Sequence, residues 1–325
     1  MNKISTSPIL SICIPTWNRA KYLRSCLVAI KEQIHTINTS ELELFVSDNC
    51  SEDNTKEVVN QFIQEGLPIT YNRNEANLGA AGNFLKCMQY ASGKYILLLG
   101  DDDILNPDAI SFLLELLRGH DYGLVHIRMS CPIENPFVIY DDRDQFLKAI
   151  SYWLTFISGN IFQRKIVSQI KSPEDYVWTH LLQMPYYIMS ALSSSQNVII
   201  YKEILKISLD GNSNGGYNFY EVFVDGYLSI WTEFLNRKEI SKDVFESLKR
   251  DLYERMVFSY NLTLLIQGRG VKNNREQEGK RGGLLVDNAW KIQFKHYYAK
   301  PYFWLSLARL SFQSIKYYVC RILKR

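Results

Sequence analysis

Three aspartates in succession, Asp101-Asp102-Asp103, follow the apolar run Tyr95-Ile96-Leu97-Leu98-Leu99 and one glycine, Gly100. The run reads as a buried strand, so the carboxylates stand at a strand end. Adjacent carboxylates repel one another, and a divalent cation among them, Mg²⁺ or Mn²⁺, relieves the repulsion. Such a cation needs further oxygen ligands, and diphosphate oxygens serve well. The chemistry suggested is therefore the holding of a metal–diphosphate substrate. The same residues also serve as a solvated acidic turn before the helix that Pro107 opens, a favoured first-turn position for proline.

The elements around this cluster alternate. Residues 10–14 form a strand stopped by Pro15, and Tyr22, Leu23, Cys26, Leu27 and Ile30 recur at helical spacing. Residues 42–46 form a second strand ending in Ser47-Asp48-Asn49, and a helix carrying Val58, Val59, Phe62 and Ile63 follows. Strands at 69–71, 95–99 and 122–127 and a helix at 79–91 continue the pattern. Alternation of this kind predicts a parallel sheet with right-handed crossovers, and ligands bind such sheets at the strands' carboxyl ends. Asn18, Arg19, Asp48, Asn49 and Asp101 to Asp103 should share that crevice. Beyond Met129 the spacing predicts strands at 137–140 and 198–201 and helices over 145–156 and 175–192. A loop carrying Ser158 enters a further strand. A Gly/Asn-rich loop at 210–216, mostly helical sequence and a polar loop at 268–283 complete the chain.

At 325 residues, 46% of them hydrophobic, the chain can bury one large domain and an appendage. Its net charge of +3 hides an asymmetry: residues 268–325 hold 13 Lys/Arg and 3 Asp/Glu, the remainder 24 and 31. A basic tail on an acidic body suggests an anionic surface as partner. Cys13, Cys26, Cys50, Cys87, Cys131 and Cys320 form no C-x-x-C pair, a pattern that favours a reducing cytosol over a disulfide framework. Residues 1–8 are too short and polar for a signal peptide, and no apolar run approaches the roughly 20 residues of a spanning helix.

Four ordered motifs carry a resemblance. Ser11-Ile12-Cys13-Ile14-Pro15-Thr16-Trp17-Asn18-Arg19 resembles the opening strand and loop of family 2 glycosyltransferases, usually S-I-x-I-P-T-Y-N-R. Val46-Ser47-Asp48-Asn49-Cys50-Ser51-Glu52-Asp53-Asn54-Thr55 is similar to their V-D-D-G-S-x-D-x-T element, and Asn77-Leu78-Gly79-Ala80-Ala81-Gly82-Asn83 to N-x-G-x-x-x-N. The acidic cluster stands at their Asp-x-Asp. Its wording, L-x-G-D-D-D, is that of the abequosyltransferase-like group. The resemblance implies an α/β GT-A nucleotide-binding fold with a mostly parallel central sheet and a helical C-terminal extension. It divides the chain into a GT-A domain over 1–215 and a basic helical region over 216–325. Within the first, 1–130 would be the nucleotide-sugar half and 131–215 the acceptor half.

It also implies roles. Pro15, Thr16, Asn18 and Arg19 would line base and ribose, with Asp101 beside them. Asp48 would accept a hydrogen bond from a ring N–H. Asn83 would reach ribose or phosphate, or bond at its helix start. Asp102 would contact the metal, with Asp103 or Asp101 as second ligand, because Gly100 replaces the family's first acidic position. An inverting transferase needs a base to deprotonate the acceptor hydroxyl. Asp175, in Glu174-Asp175 after Pro173, matches the family's position; His180 and Asp210 are the other candidates. Gly211-Asn212-Ser213 resembles a short acceptor-side element.

The implied activity is metal-dependent transfer from a UDP-, CDP- or dTDP-sugar to a saccharide acceptor, lipid-linked, in surface polysaccharide or lipopolysaccharide synthesis. A sugar-nucleotide nucleotidyltransferase would carry a Gly-rich loop bearing Lys or Arg after its first strand, and Pro15-Thr16-Trp17-Asn18-Arg19 has no glycine. A non-catalytic nucleotide-binding protein would not need Asp48, Asp102 and Asp103 intact. Nothing resembles a nucleic-acid module. Residues 300–325 interleave Tyr302, Phe303, Trp304, Leu307 and Leu310 with Lys300, Arg309, Lys316, Arg321, Lys324 and Arg325. This reads either as an interfacial helix holding a cytoplasmic enzyme to the inner face of a membrane or as a helix packed on the protein.

Overall fold

The structure, a computed structural model, describes residues 7–128, 134–207, 218–267 and 289–323. The chain forms two compact units, Met1–Asp210 and Gly211–Arg325.

The first unit is built on an eight-stranded sheet. Its first half is the predicted alternation: β1 (Leu10–Thr16), α1 (Ala20–Ile34), β2 (Leu42–Asp48), α2 (Thr55–Gln64), β3 (Ile69–Arg73), α3 (Gly79–Tyr90) and β4 (Tyr95–Leu98). A two-residue strand, β5 (Ile104–Leu105), precedes α4 (Ala109–Leu117) and β6 (Leu124–Ile127). Then come β7 (Phe137–Tyr140), α5 (Arg143–Ile150), β8 (Asn160–Gln163), α6 (Met184–Leu192), β9 (Asn197–Ile200) and β10 (Leu205–Lys206). The order across the sheet is β3-β2-β1-β4-β8-β6-β9-β7. β8 lies antiparallel between β4 and β6, and β7 antiparallel at the edge; the other pairings are parallel.

Burial follows from composition. Every residue of β1 and β4 is buried, as expected of central strands covered on both faces. α1 turns Leu23, Cys26, Leu27 and Ile30 inward, and α2 turns Val58, Val59 and Phe62 inward. Together with Ile12, Ile14, Leu44, Val46, Leu97 and Leu113 they form the core.

Two predicted helices are shorter than the spacing suggested. The 175–192 helix is broken: 3₁₀ turns span Pro173–Thr179, His180 adopts φ 56°, and α6 starts only at Met184. Pro185 explains the break, since its ring is tolerated in a first turn and would clash with the preceding turn in a helix interior. The 145–156 helix ends at Ile150, where Ser151 takes φ 46° before a 3₁₀ stretch, Ser151–Thr155. β5 and β10, which pair with each other, escaped the periodicity because two residues define no period.

The second unit is helical: Tyr227–Asn236, Lys242–Asp251, Phe258–Gln267, Ala289–Tyr297 and Pro301–Leu323. Wider π turns, Glu221–Gly226 and Leu252–Val257, run into two of these helices. Among the described residues no helix is long and apolar enough to cross a membrane. Residues 210–216 and 268–283, read above as loops, lie outside the described residues.

Candidate nucleotide-binding and catalytic site

Strand register assembles the site. Thr16 pairs with Asp48, and Asp48 with Arg73, so three strand ends bring these residues to one level. β4 runs beside β1, and the acidic turn follows it.

The three aspartates have different environments. Asp101 is buried; it accepts hydrogen bonds from Thr16 Oγ1 at 2.7 Å and Arg19 Nε at 2.8 Å. Burial pushes its carboxyl up to about 7, although the Arg19 guanidinium and Thr16 hydroxyl favour the charge. Arg19 Nη2 donates to Asp102 Oδ2 at 2.5 Å, and the guanidinium lies 4.6 Å from the Tyr22 ring centroid. Asp103 is turned inward. Ser158 Oγ donates to Asp103 Oδ2 at 2.5 Å and accepts from Gly100 N at 2.8 Å. Only Asp102 keeps a substantially accessible side chain, 32% exposed against 6% for Asp101.

This packing is close around Gly100. A Cβ there would lie 3.0 Å from Asp103 Oδ2, 3.2 Å from Asp102 Oδ1 and 3.3 Å from Ser158 Oγ. The cluster thus closes around the missing side chain, in place of an acidic residue at position 100.

Among the described residues, no three His, Cys, Asp or Glu side chains converge so as to hold a metal by themselves. Thr16 and Arg19 engage Asp101, and Ser158 engages Asp103. Asp102 shares Arg19 through Oδ2 and is the most exposed of the three aspartates. One or two carboxylates plus substrate phosphates make up a donor set that Mg²⁺ uses. The residues therefore fit a cation that arrives with a diphosphate, rather than one held in a cage of three aspartates.

Asp48 is fully buried. Ser51 N donates to its Oδ1 at 2.8 Å and Tyr71 Oη to its Oδ2 at 2.7 Å, with Arg73 Nε 3.7 Å away. Burial and the Asp48 carboxylate raise the Tyr71 phenol, which keeps it a donor. Asn83 is buried and saturated: Nδ2 donates to Ser47 O at 3.0 Å, and Oδ1 accepts from Ser47 Oγ at 2.6 Å and Asn74 Nδ2 at 3.1 Å. These bonds tie the start of α3 to β2 and to Asn74 beyond β3. The loop after β1 is pinned: Asn18, at φ 52°, donates its N–H to Ser51 Oγ at 2.9 Å, and its Oδ1 accepts from Glu52 N at 2.7 Å. Asp53 caps Ala20 N, an orphan donor of the first turn of α1, at 2.9 Å. Pro15 is buried within β1.

Asp175 and His180 are exposed, at either end of the Pro173–Thr179 turns. Buried Tyr176 and Thr179 hold the segment: Thr179 Oγ1 donates to Tyr176 O at 2.6 Å and accepts from Leu181 N at 3.0 Å. Among the described residues no hydrogen bond joins Asp175 or His180 to the Arg19–Asp101–Asp102 cluster. Asp210 and Gly211-Asn212-Ser213 lie outside the described residues. Sequence reading missed Tyr71, Arg73 and Ser158. The first two share a face of β3 with period 2 and stand at the level of Asp48, the one signal that could have found them.

Behind Ser158, at the start of β8, Asn160 faces buried His126 of β6. Asn160 Nδ2 donates to Phe156 O at 2.7 Å, which turns its Oδ1 toward His126 Nδ1 at 3.0 Å. Burial lowers the His126 pKa to about 4. The unfolded chain takes up this proton near pH 6.5 and the folded one does not, so stability falls as pH drops from about 6.5 toward 4. Between pH 7 and 5 the loss is roughly 2 kcal/mol. His126→Gln is expected to show a smaller fall in melting temperature over that interval; an equal fall would refute the assignment.

An open sheet of this order, with pinned polar loops and an acidic turn at the carboxyl ends of its first four strands, is the GT-A arrangement. A family model described as glycosyl transferase family 2 matches residues 11–172. The chain belongs to glycosyl transferase family 2. It is 39% identical over 106 residues to the abequosyltransferase RfbV of Salmonella typhimurium, covering 32% of this chain and 31% of that protein. It is 26% identical over 254 residues to the GalNAc(5)-diNAcBac-PP-undecaprenol beta-1,3-glucosyltransferase of Campylobacter jejuni, covering 73% of this chain and 77% of that one. Among solved structures, S. aureus TarS residues 1–349 superpose with TM-score 0.59 at 15% identity, over 76% of this chain and 72% of that one. The same TarS fragment has been solved with UDP-GlcNAc (TM-score 0.59, 17% identity, 75% of this chain and 71% of that one).

Proposed function

We propose that this protein transfers a sugar, with inversion and with help from Mg²⁺ or Mn²⁺, from a nucleotide-sugar to a saccharide acceptor. The observation that carries the reading is the arrangement of Thr16, Arg19, Asp101 and Asp102 at the strand ends, with Asp102 the most exposed of the three aspartates. The UDP-GlcNAc complex of TarS supports a nucleotide diphosphate in the crevice. UDP-, CDP- and dTDP-sugars are all candidate donors.

In this reading the loop Pro15, Thr16, Asn18 and Arg19 lines the nucleoside, and Asp48, backed by Tyr71 and Arg73, presents its strand end to the base. Asn83 holds the wall behind them. Asp102, with Asp103 or Asp101 second, would hold the cation, which when bound stabilises negative charge on the departing diphosphate. Asp175 accepts the proton of the acceptor hydroxyl as that oxygen bonds to the anomeric carbon. The bond from that carbon to diphosphate oxygen breaks on the opposite face, and the diphosphate leaves with the electron pair. The undecaprenol-diphosphate named for the Campylobacter relative supports a lipid-linked acceptor and a place on the cytoplasmic face of a membrane, in surface polysaccharide synthesis.

A thermal-shift screen of UDP, CDP, dTDP and GDP with Mn²⁺ or Mg²⁺ tests the donor site. A nucleotide at about 100 times its Kd adds about 2.7 kcal/mol to stability. One nucleotide is expected to raise the melting temperature more with the cation than without it. No shift from any of them would sink the reading.

A further inference from the structure

We propose that the unit Gly211–Arg325 docks on an anionic lipid bilayer through an aromatic face shared by the helices Ala289–Tyr297 and Pro301–Leu323. The inference rests on the membrane placement proposed above and names its surface. Trp290, Phe294 and Tyr298 recur every four residues and are 56%, 41% and 63% exposed. Trp304, Leu305 and Phe312 are 51%, 62% and 70% exposed. Trp304 joins the first row in one surface: the Phe294 ring centroid lies 6.5 Å from Trp290 and 6.0 Å from Trp304, and Trp304 Nε1 donates to Tyr298 O at 2.8 Å.

Of the residues that sequence spacing picked out, Trp304 lies on this face. Phe303 and Leu310 are buried, along with Ile292 and Tyr297 on the companion helix. Those residues hold the helix pair to its own unit. Having spent that apolar face on packing, the pair still presents six large side chains to solvent, an extent of exposed apolar surface that marks an interaction site.

The charge selects the occupant. Residues 289–325 contain eight Lys/Arg and no Asp or Glu, and of these Lys295 pairs with Asp225 and Lys300 with Glu246. Lys291 and Arg309 are exposed beside the aromatic rows. A second copy docking on the same patch would bring Lys291 and Arg309 of two copies together, which opposes self-association. Trp and Tyr prefer the headgroup level, and basic residues add attraction to anionic lipid. Since neither helix is suited to cross a bilayer, the face lies on it.

The test is sedimentation of the full chain with vesicles of phosphatidylglycerol and phosphatidylethanolamine, and with phosphatidylcholine alone. Wild type is expected to sediment with the anionic vesicles, less so in high salt, and hardly with phosphatidylcholine. The variant carrying Trp290→Ser, Leu305→Ser and Phe312→Ser is expected to partition at least tenfold more weakly while keeping its nucleotide-induced thermal shift. Wild type left in the supernatant would refute both the membrane placement and the face. Equal sedimentation of wild type and variant would refute the face and leave the placement standing. A wild-type dimer that the three substitutions convert to monomer, with no vesicle binding by either, would make the face a contact between copies and overturn the proposal.

Discussion

Asp102→Asn is expected to reduce sugar transfer by at least about 100-fold, roughly 3 kcal/mol of transition-state stabilisation. The asparagine keeps the shape of the aspartate and removes its charge. Asp102 is the most exposed of the acidic-turn carboxylates: it shares Arg19 with Asp101, which is buried and also holds Thr16, while buried Asp103 is tied to Ser158. Stability should change little, because the pair with Arg19 is partly exposed and such pairs contribute about 0–1 kcal/mol. Arg19 retains Asp101, so the loop after β1 stays in place. The measurement is initial rate with the donor that the thermal-shift screen identifies, beside a melting curve of the variant. Excess chelator on wild type should match the substitution. A near-normal rate in Asp102→Asn, or full wild-type activity in chelator, would overturn both the metal dependence and the role of this residue.

The second large effect is expected at Asp175. If its carboxylate accepts the acceptor's proton, Asp175→Asn should lower the rate by roughly 100-fold or more and leave the nucleotide-induced thermal shift untouched. Its situation suits that task. The residue is exposed on a segment anchored from below by Tyr176 and Thr179, so an acceptor can reach it without displacing the core. The substitution should not unfold the protein, since no described hydrogen bond of the fold uses its side chain. A near-normal rate would move the role to His180 or Asp210, to be tested by His180→Gln and Asp210→Asn in the same assay.

Much of the first unit was legible because its signals are local and repeated. Val58, Val59 and Phe62, or Leu23, Cys26, Leu27 and Ile30, declare one helical face, and β1, β2 and β4 read as apolar runs, although β1 continues through Pro15, read as its stop, and pairs with β2 as far as Thr16. Four motifs in the first 110 residues then pointed to the crevice. What spacing could not convey was where each carboxylate turns. Asp101, Asp102 and Asp103 are chemically equal in sequence. Their difference arises from Arg19, 82 positions before Asp101, and Ser158, 55 positions after Asp103. The helix read over 175–192 failed for a local reason, the proline at 185, which outweighs apolar periodicity. At the C-terminus periodicity correctly found an amphipathic helix, and tertiary packing decided which aromatics were left outside.

The bridge from Ser158 to Gly100 and Asp103 has a consequence for how the chain acquires its activity. The four motifs that carry the resemblance most strongly lie before residue 110, yet the acidic turn takes its shape from a residue 58 positions further on than Gly100. β4 likewise has β1 on one side and β8 on the other. A ribosome that has released only the motif-bearing half has made a sheet with an open edge at β4, prone to wrong pairings. Contacts of such long sequence separation form late and slowly. The acidic turn is therefore completed in time by the part of the unit that follows the four motifs, and an isolated N-terminal fragment of this protein would carry the signature of the enzyme without its preorganised turn.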